Sequence, residues 1–173
     1  AEVRPVLEAL KAKGISVKYD NRDTHKPGFK FNEYELKGVP VRLAIGPRDM
    51  ENKTFEVARR DTLEKQVIPS EGIADHIASL LEQMQQAIYD KAAAFRDDHI
   101  TEVNSYEEFK EVLNTRGGFV SAHWDGTDAT EQRIKDETKA TIRCIPLDPV
   151  ADPGTCMVTG KPASYRVLFA KAY

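Results

Sequence analysis

Apolar residues recur along this chain with two different periods, and the switch between them predicts its elements. Val3, Val6, Leu7 and Leu10 fall at helical spacing and Gly14 supplies a stop, which predicts an amphipathic helix. "ISVKY", residues 15–19, predicts a strand. A short helix is expected near Phe29 to Lys37, then a buried strand in "VPVRLAIG" and a turn in "PRDMENKT". "FEVARR" and "EKQVIP" predict two strands that pair. Pro69 and Ser70 break the pattern, with Ser70 as candidate N-cap. The clearest periodicity follows: Ile73, Ile77, Leu80, Leu81, Met84, Ile88, Ala92 and Phe95 lie on one stripe of a long helix. Met84 and Phe95 are expected in its core face.

A second unit begins around "DDHITEVNS". Ser105 and Glu108 form a capping box before Phe109, Val112 and Leu113, and Gly117-Gly118 ends that helix. "GFVSAHW" predicts a strand, "DATEQRIKDETKA" a helix and "TIRCIPL" a strand holding Cys144 as a small core residue. A loop with Pro149, Pro153 and Gly154 leads to a last strand in "ASYRVLFAKAY". The expected class is α/β: two units, 1–100 and 101–173, joined by the long helix. An α/β unit ordinarily opens with a strand, whereas this chain opens in a helix, which points to a chain cut from something longer.

Composition narrows the function classes. The 173 residues are 40% hydrophobic and 31% charged, as in ordinary globular proteins. Net charge is -3, so any contact with RNA has to come from local patches. No apolar run approaches bilayer length and no signal pattern opens the chain, so no membrane role is expected. Cys144 and Cys156 make no disulfide framework, which favours a reducing compartment, the cytoplasm.

Catalytic constellations are not evident. There is no glycine-rich phosphate loop, no serine in a nucleophile elbow and no C-x-x-C pair. His25, His76, His99 and His123 lack metal spacing, and His76 falls on the polar side of the long helix. "RRD", Arg59 to Asp61, reads equally as an acidic-ligand or phosphate site and as a charged strand end. The remaining candidate is "HKPGFKFNEYELKGVPVRLAIGPRD", residues 25–49. A guanine in an unstacked loop presents the acceptor O6 and two donor groups. A carboxylate accepts from the donors, an Arg or Lys meets O6, and an aromatic or guanidinium plane stacks on the base. Lys30, Glu33, Glu35, Lys37 and Arg42 beside Phe29, Phe31 and Tyr34 supply those types. By composition alone a solvated face is the leading alternative.

The same residues carry a resemblance. "PGFKFNEYELKGVPVRLAIGPRD" followed by "RRDT" resembles the anticodon-binding domain of the prolyl-tRNA synthetase family, in its archaeal and eukaryotic-like branch. "HWDGTDATEQRIKDETKATIRCIPL" and the ending "FAKAY" resemble that branch's C-terminal domain. The resemblance implies a mixed-sheet anticodon domain whose first strand precedes the present chain, then a small α/β C-terminal domain. It implies that the full enzyme, a class II ligase and homodimer, uses ATP and magnesium in a catalytic domain N-terminal to this region to join proline to its tRNA. This chain alone would then catalyse nothing and would hold the anticodon arm, whose bases include two guanines. Lys30, Phe31, Glu35, Lys37, Arg42 and Asp49 stand inside the matching motif and take the anticodon-binding role. Tyr173 takes that of a terminal contact to the catalytic domain.

Many members of the family hold a structural zinc with four cysteines. Those places here carry Asp125, Thr130, Cys156 and Thr159. One thiol remains and threonine is not a usual zinc ligand, so a metal-free domain held by packing and hydrogen bonds is expected. An improvised set of His123, Asp125 and Cys156 is the alternative. Two further functional readings differ in class: a non-catalytic accessory protein with the same fold, and a small self-sufficient enzyme, for which no coherent nucleophile, base or metal set exists.

Overall fold

A computed structural model describes residues 3–147 and 152–171. The chain divides into two compact units, 1–90 and 91–173, and the class is the expected α/β.

In the first unit, α1 (Arg4–Ala12) buries Leu10 and stops at Gly14, whose φ of 76° only glycine adopts without strain. "ISVKY" runs without a ladder partner among the described residues, although a strand is expected there. Its Ile15 and Val17 still pack against the core. Next come α2 (Pro27–Leu36), β1 (Val41–Ala44) and α3 (Pro47–Asn52). α3 replaces the expected turn: Pro47 presets the helical φ in its first turn and Lys53 ends it in the left-handed region at φ 52°. The expected hairpin is present as β2 (Thr54–Arg59) and β3 (Lys65–Pro69). The sheet order is β1-β2-β3 with both pairings antiparallel, Val41 opposite Arg59 and Thr54 opposite Pro69. The mixed pairing lies in the other unit.

Helix α4 (Ile73–Asp98) begins three residues beyond Ser70, after Gly72 at φ 70°. Its Ile73, Ala74, Ile77, Leu80 and Met84 close over Phe55 and Val57 of β2. Burying each large member stabilises the unit by about 1.5–3 kcal/mol before entropy is counted. His76 is half-buried and its Nε2 is shielded without a partner, not the surface group expected. From Ile88 onward the stripe faces solvent. Phe95, expected in the core, is 66% exposed and stacks instead on His99 at 4.0 Å. Helical spacing defines a face; it does not supply something to cover it.

The second unit has β4 (Ile100–Glu102), α5 (Tyr106–Thr115), β5 (Phe119–His123), α6 (Asp128–Thr138), β6 (Ala140–Cys144), β7 (Gly154–Thr155), β8 (Pro162–Ala163) and β9 (Arg166–Lys171). Its mixed sheet has the order β4-β5-β9-β6, with β4 and β5 parallel and the other pairs antiparallel. The capping box is formed: Ser105 Oγ accepts from the Glu108 amide at 3.2 Å, and Glu108 accepts from the Ser105 amide at 3.3 Å. Gly118, at φ 79°, passes so close to His99 that a Cβ would lie 2.7 Å from its carbonyl oxygen. Phe109, Val120, Ile134, Val167 and Phe169 are fully buried, Phe109 and Phe169 meeting edge to face at 5.2 Å. Cys144 is exposed, contrary to its expected core place, because the register slips between Ile142 and Cys144 at the end of β6. The expected role of Tyr173 and the loop position Pro149 lie outside the described residues.

Candidate nucleic-acid interface

Helix α2 starts where chemistry requires it to. Lys26, before proline, is extended at φ -67° and ψ 153°, and Pro27 opens the helix. Gly38 at φ 78° closes it, with the Gly38 amide bonded to the Glu35 carbonyl and the Val39 amide to the Tyr34 carbonyl. No residue of α2 is fully buried, so the helix displays its side chains rather than sealing a core. β1 then carries Arg42 alongside it.

These side chains form one ion-paired array. The Arg42 guanidinium lies 3.6 Å from the Phe31 ring centre. Its Nη1 meets Glu35 Oε1 at 3.1 Å, its Nη2 approaches Glu56 at 3.7 Å, and its Nε is shielded without a partner. Lys37 Nζ donates to Glu33 Oε1 at 2.5 Å, and Arg22 donates to Glu33 Oε2 at 2.6 Å. Arg22 also forks onto Asp20 at 2.9 and 2.6 Å, while Lys30 donates to the Arg22 carbonyl. The Lys37 hydrogen bond, with that from Arg22, lowers the Glu33 carboxyl to about 2, and the Arg22 hydrogen bond holds Asp20 well below the carboxylate range.

Five of the six expected anticodon residues, Lys30, Phe31, Glu35, Lys37 and Arg42, therefore belong to the α2–β1 array. Asp49 has a local duty: its carboxylate accepts from the Gly46 amide at 2.8 Å and caps α3. Asp20 and Arg22 were absent from the expected set, although "YDNRD" just upstream concentrates the same charges. Within "RRD", Arg59 is paired to Asp61 at 3.0 and 2.7 Å, and Arg60 donates to the Glu35 carbonyl at 3.0 Å. That triplet is a charged strand end that braces the array. Glu35 and Lys37 are the exposed charges among the five. Together the array offers acceptors and donors a few ångströms apart beside an aromatic plane, the set that a nucleobase edge needs.

The four positions that the resemblance marks for zinc, Asp125, Thr130, Cys156 and Thr159, do not suit that metal. They provide one carboxylate, one thiol and two hydroxyls, and both hydroxyls donate to the carboxylate: Thr130 Oγ1 to Asp125 Oδ2 at 3.0 Å and Thr159 Oγ1 to the same oxygen at 2.9 Å. A closed tetrahedral zinc site needs four strong donors. The Nε2 of His123 bonds the Asp152 carbonyl at 2.7 Å, and His123, Asp125 and Cys156 are not brought together as an improvised set. No group of three His, Cys, Asp or Glu placed to hold a metal occurs among the described residues, nor any helix long and apolar enough to cross a membrane.

Comparison with known proteins gives a consistent picture. Residues 1–80 match the anticodon binding domain family, and residues 106–173 match the C-terminal domain family of prolyl-tRNA synthetase. The chain is 65% identical over its whole length to a proline–tRNA ligase of Flavobacterium johnsoniae and 60% identical to one of Cytophaga hutchinsonii. It spans 35% of the length of each. Among solved structures it is similar to a prolyl-tRNA synthetase from Cryptosporidium parvum complexed with L-proline and AMP. The TM-score there is 0.89 and the identity 32%, over 99% of this chain and 36% of that one.

Proposed function

Because the chain belongs to the prolyl-tRNA synthetase family, as an anticodon-binding domain followed by that family's C-terminal domain, we propose that it grips the anticodon arm of proline tRNA with its α2–β1 face. The observation that carries the reading is the Phe31–Arg42–Glu35 stack, a carboxylate and a guanidinium held together on an aromatic plane. A guanine entering there exchanges one ion pair for two sets of charge-assisted hydrogen bonds: Glu35 accepts from its N1 and N2 groups, and Arg42 or Lys37 donates to O6. Lys30 contributes to the same grip, and Asp49 acts through its cap on α3. Ion pairing in the free protein keeps the long side chains arranged before the base arrives, which lowers the ordering cost of binding.

In the whole protein this grip presents tRNA to a catalytic domain in the remaining two-thirds of the relatives' length. There proline is joined to tRNA at the expense of ATP with magnesium, in a homodimer and in the cytoplasm. The test is binding of this chain to proline tRNA and to versions with each anticodon guanine replaced, at one stated salt concentration. Affinity is expected to fall by about tenfold or more per replaced guanine. Equal affinity for all versions would reduce the interface to backbone attraction and end the reading.

A further inference from the structure

Segment 152–163 of the second unit has little regular structure of its own: two-residue strands β7 and β8, and a turn at 157–159. It is nonetheless anchored, with Cys156 only 2% exposed. One anchor is the Asp125 carboxylate. Its Oδ1 accepts from the Thr127 amide at 3.2 Å and the Thr127 hydroxyl at 2.8 Å. Its Oδ2 accepts from the hydroxyls of Thr130 and Thr159 at 3.0 and 2.9 Å. A carboxylate has about four lone-pair positions, and here each has a donor. Burial works to raise this carboxyl, but the hydrogen bonds from Thr127, Thr159 and Thr130 outweigh it and leave it below its ordinary value.

A second anchor sits beside it. Arg166 Nε donates to Asp152 Oδ2 at 2.7 Å, and the Arg166 guanidinium reaches the Val103 carbonyl at 2.9 Å and Asn104 Oδ1 at 2.6 Å. His123 bonds the Asp152 carbonyl, and Gly154 lies so near the His123 ring that a Cβ would come within 2.5 Å. This anchor holds the start of the segment. Met157 and Val158 of its far turn pack on the core, and among the described residues the Asp125–Thr159 bond, between residues 34 apart in sequence, is the side-chain hydrogen bond that ties that turn to the loop after β5.

We propose that the Asp125 carboxylate is the polar cross-link of the far turn: it ties the loop after β5 to the 156–160 turn and, with every lone pair taken by a hydroxyl or amide donor, does so without a cation. The clasp is a conformational device, independent of tRNA binding. Hydrogen exchange of the 173-residue chain tests it, read at Cys156, Met157 and Gly160, whose amides bond the Lys161, His123 and Cys156 carbonyls. In the natural sequence their exchange is expected to be the same with and without a zinc chelator. In Thr159→Val and in Asp125→Asn it is expected to rise about tenfold, while amides of β5 and β9 stay protected. Unchanged exchange in Thr159→Val overturns the proposal. So does loss of protection when the natural chain is treated with chelator.

Discussion

Glu33 and Glu35 on α2 and Asp125 after β5 are carboxylates with strong hydrogen-bond partners, yet they stand in different circumstances. The partners of Glu33 and Glu35 are long cations: Lys37 is exposed and Arg22 is shared with Asp20, while Arg42, partly covered by Phe31, meets the exposed Glu35. Such exposed pairs add little to stability, and water or a ligand can replace either side. The partners of Asp125 are short hydroxyls fixed by backbone, one of them on Thr130, which is 5% exposed. Removing the acceptor there costs a buried hydroxyl its charge-assisted bond. Exchangeable partners leave a charge free to meet a ligand; fixed and saturated partners commit it to the fold.

The contrast can be broken by substitution. Asp125→Ala is expected to destabilise the second unit most, by about 2–3 kcal/mol, since it removes the shared acceptor of Thr127, Thr130 and Thr159 and leaves the buried Thr130 hydroxyl with the Thr127 hydroxyl alone at 3.0 Å. Denaturant unfolding measures the loss, and tRNA affinity should be unchanged. Arg42→Gln should show the reverse weighting. It removes the guanidinium from the Phe31 ring and from Glu35, so tRNA affinity should drop about tenfold, ~1.4 kcal/mol, with a loss of stability of about 1 kcal/mol or less. Comparable losses of stability from Asp125→Ala and Arg42→Gln would erase the distinction. Within the second unit, Ser105→Ala calibrates an ordinary local bond: loss of the cap should cost ~1 kcal/mol, less than the clasp.

The smallest effect is expected from acid acting on Glu33. Its carboxyl is lowered from 4.5 to about 2 in the folded chain, so folding favours the ionised form. The contribution is complete above 4.5 and is lost as pH falls from there toward 2. Thermal melts across that range should show Glu33→Gln less sensitive to acid than the natural chain. Identical slopes would mean that the array adds nothing to stability.

Local rules made much of this molecule legible in the sequence. Ser105 with Glu108, and Gly117-Gly118, marked both ends of α5 because caps and positive-φ turns depend on neighbours within a few residues. The β2–β3 hairpin and the stripe through Met84 followed from periodicity in the same way. What escaped depended on tertiary partners. "ISVKY" has strand composition but no ladder among the described residues. Ile88 and Phe95 continue a stripe that faces solvent, and β4, three residues long, gains its identity only from parallel pairing with β5. At the candidate site, the motif marked the α2–β1 residues, but not that Arg42 rests on Phe31 or that Asp49 caps α3. The resemblance grouped Asp125 with Thr159, 34 residues away, but not the hydrogen bond by which the hydroxyl donates to the carboxylate.

One measurement bears most directly on the claim that the α2 charges read bases. Glu35→Lys is combined with replacement of each anticodon guanine in a double-mutant cycle of tRNA affinity at fixed salt. The account predicts coupling: the substitution weakens proline tRNA by about tenfold more than it weakens the tRNA lacking the guanine that Glu35 contacts. Equal losses on every tRNA, with no coupling at any guanine, would contradict it.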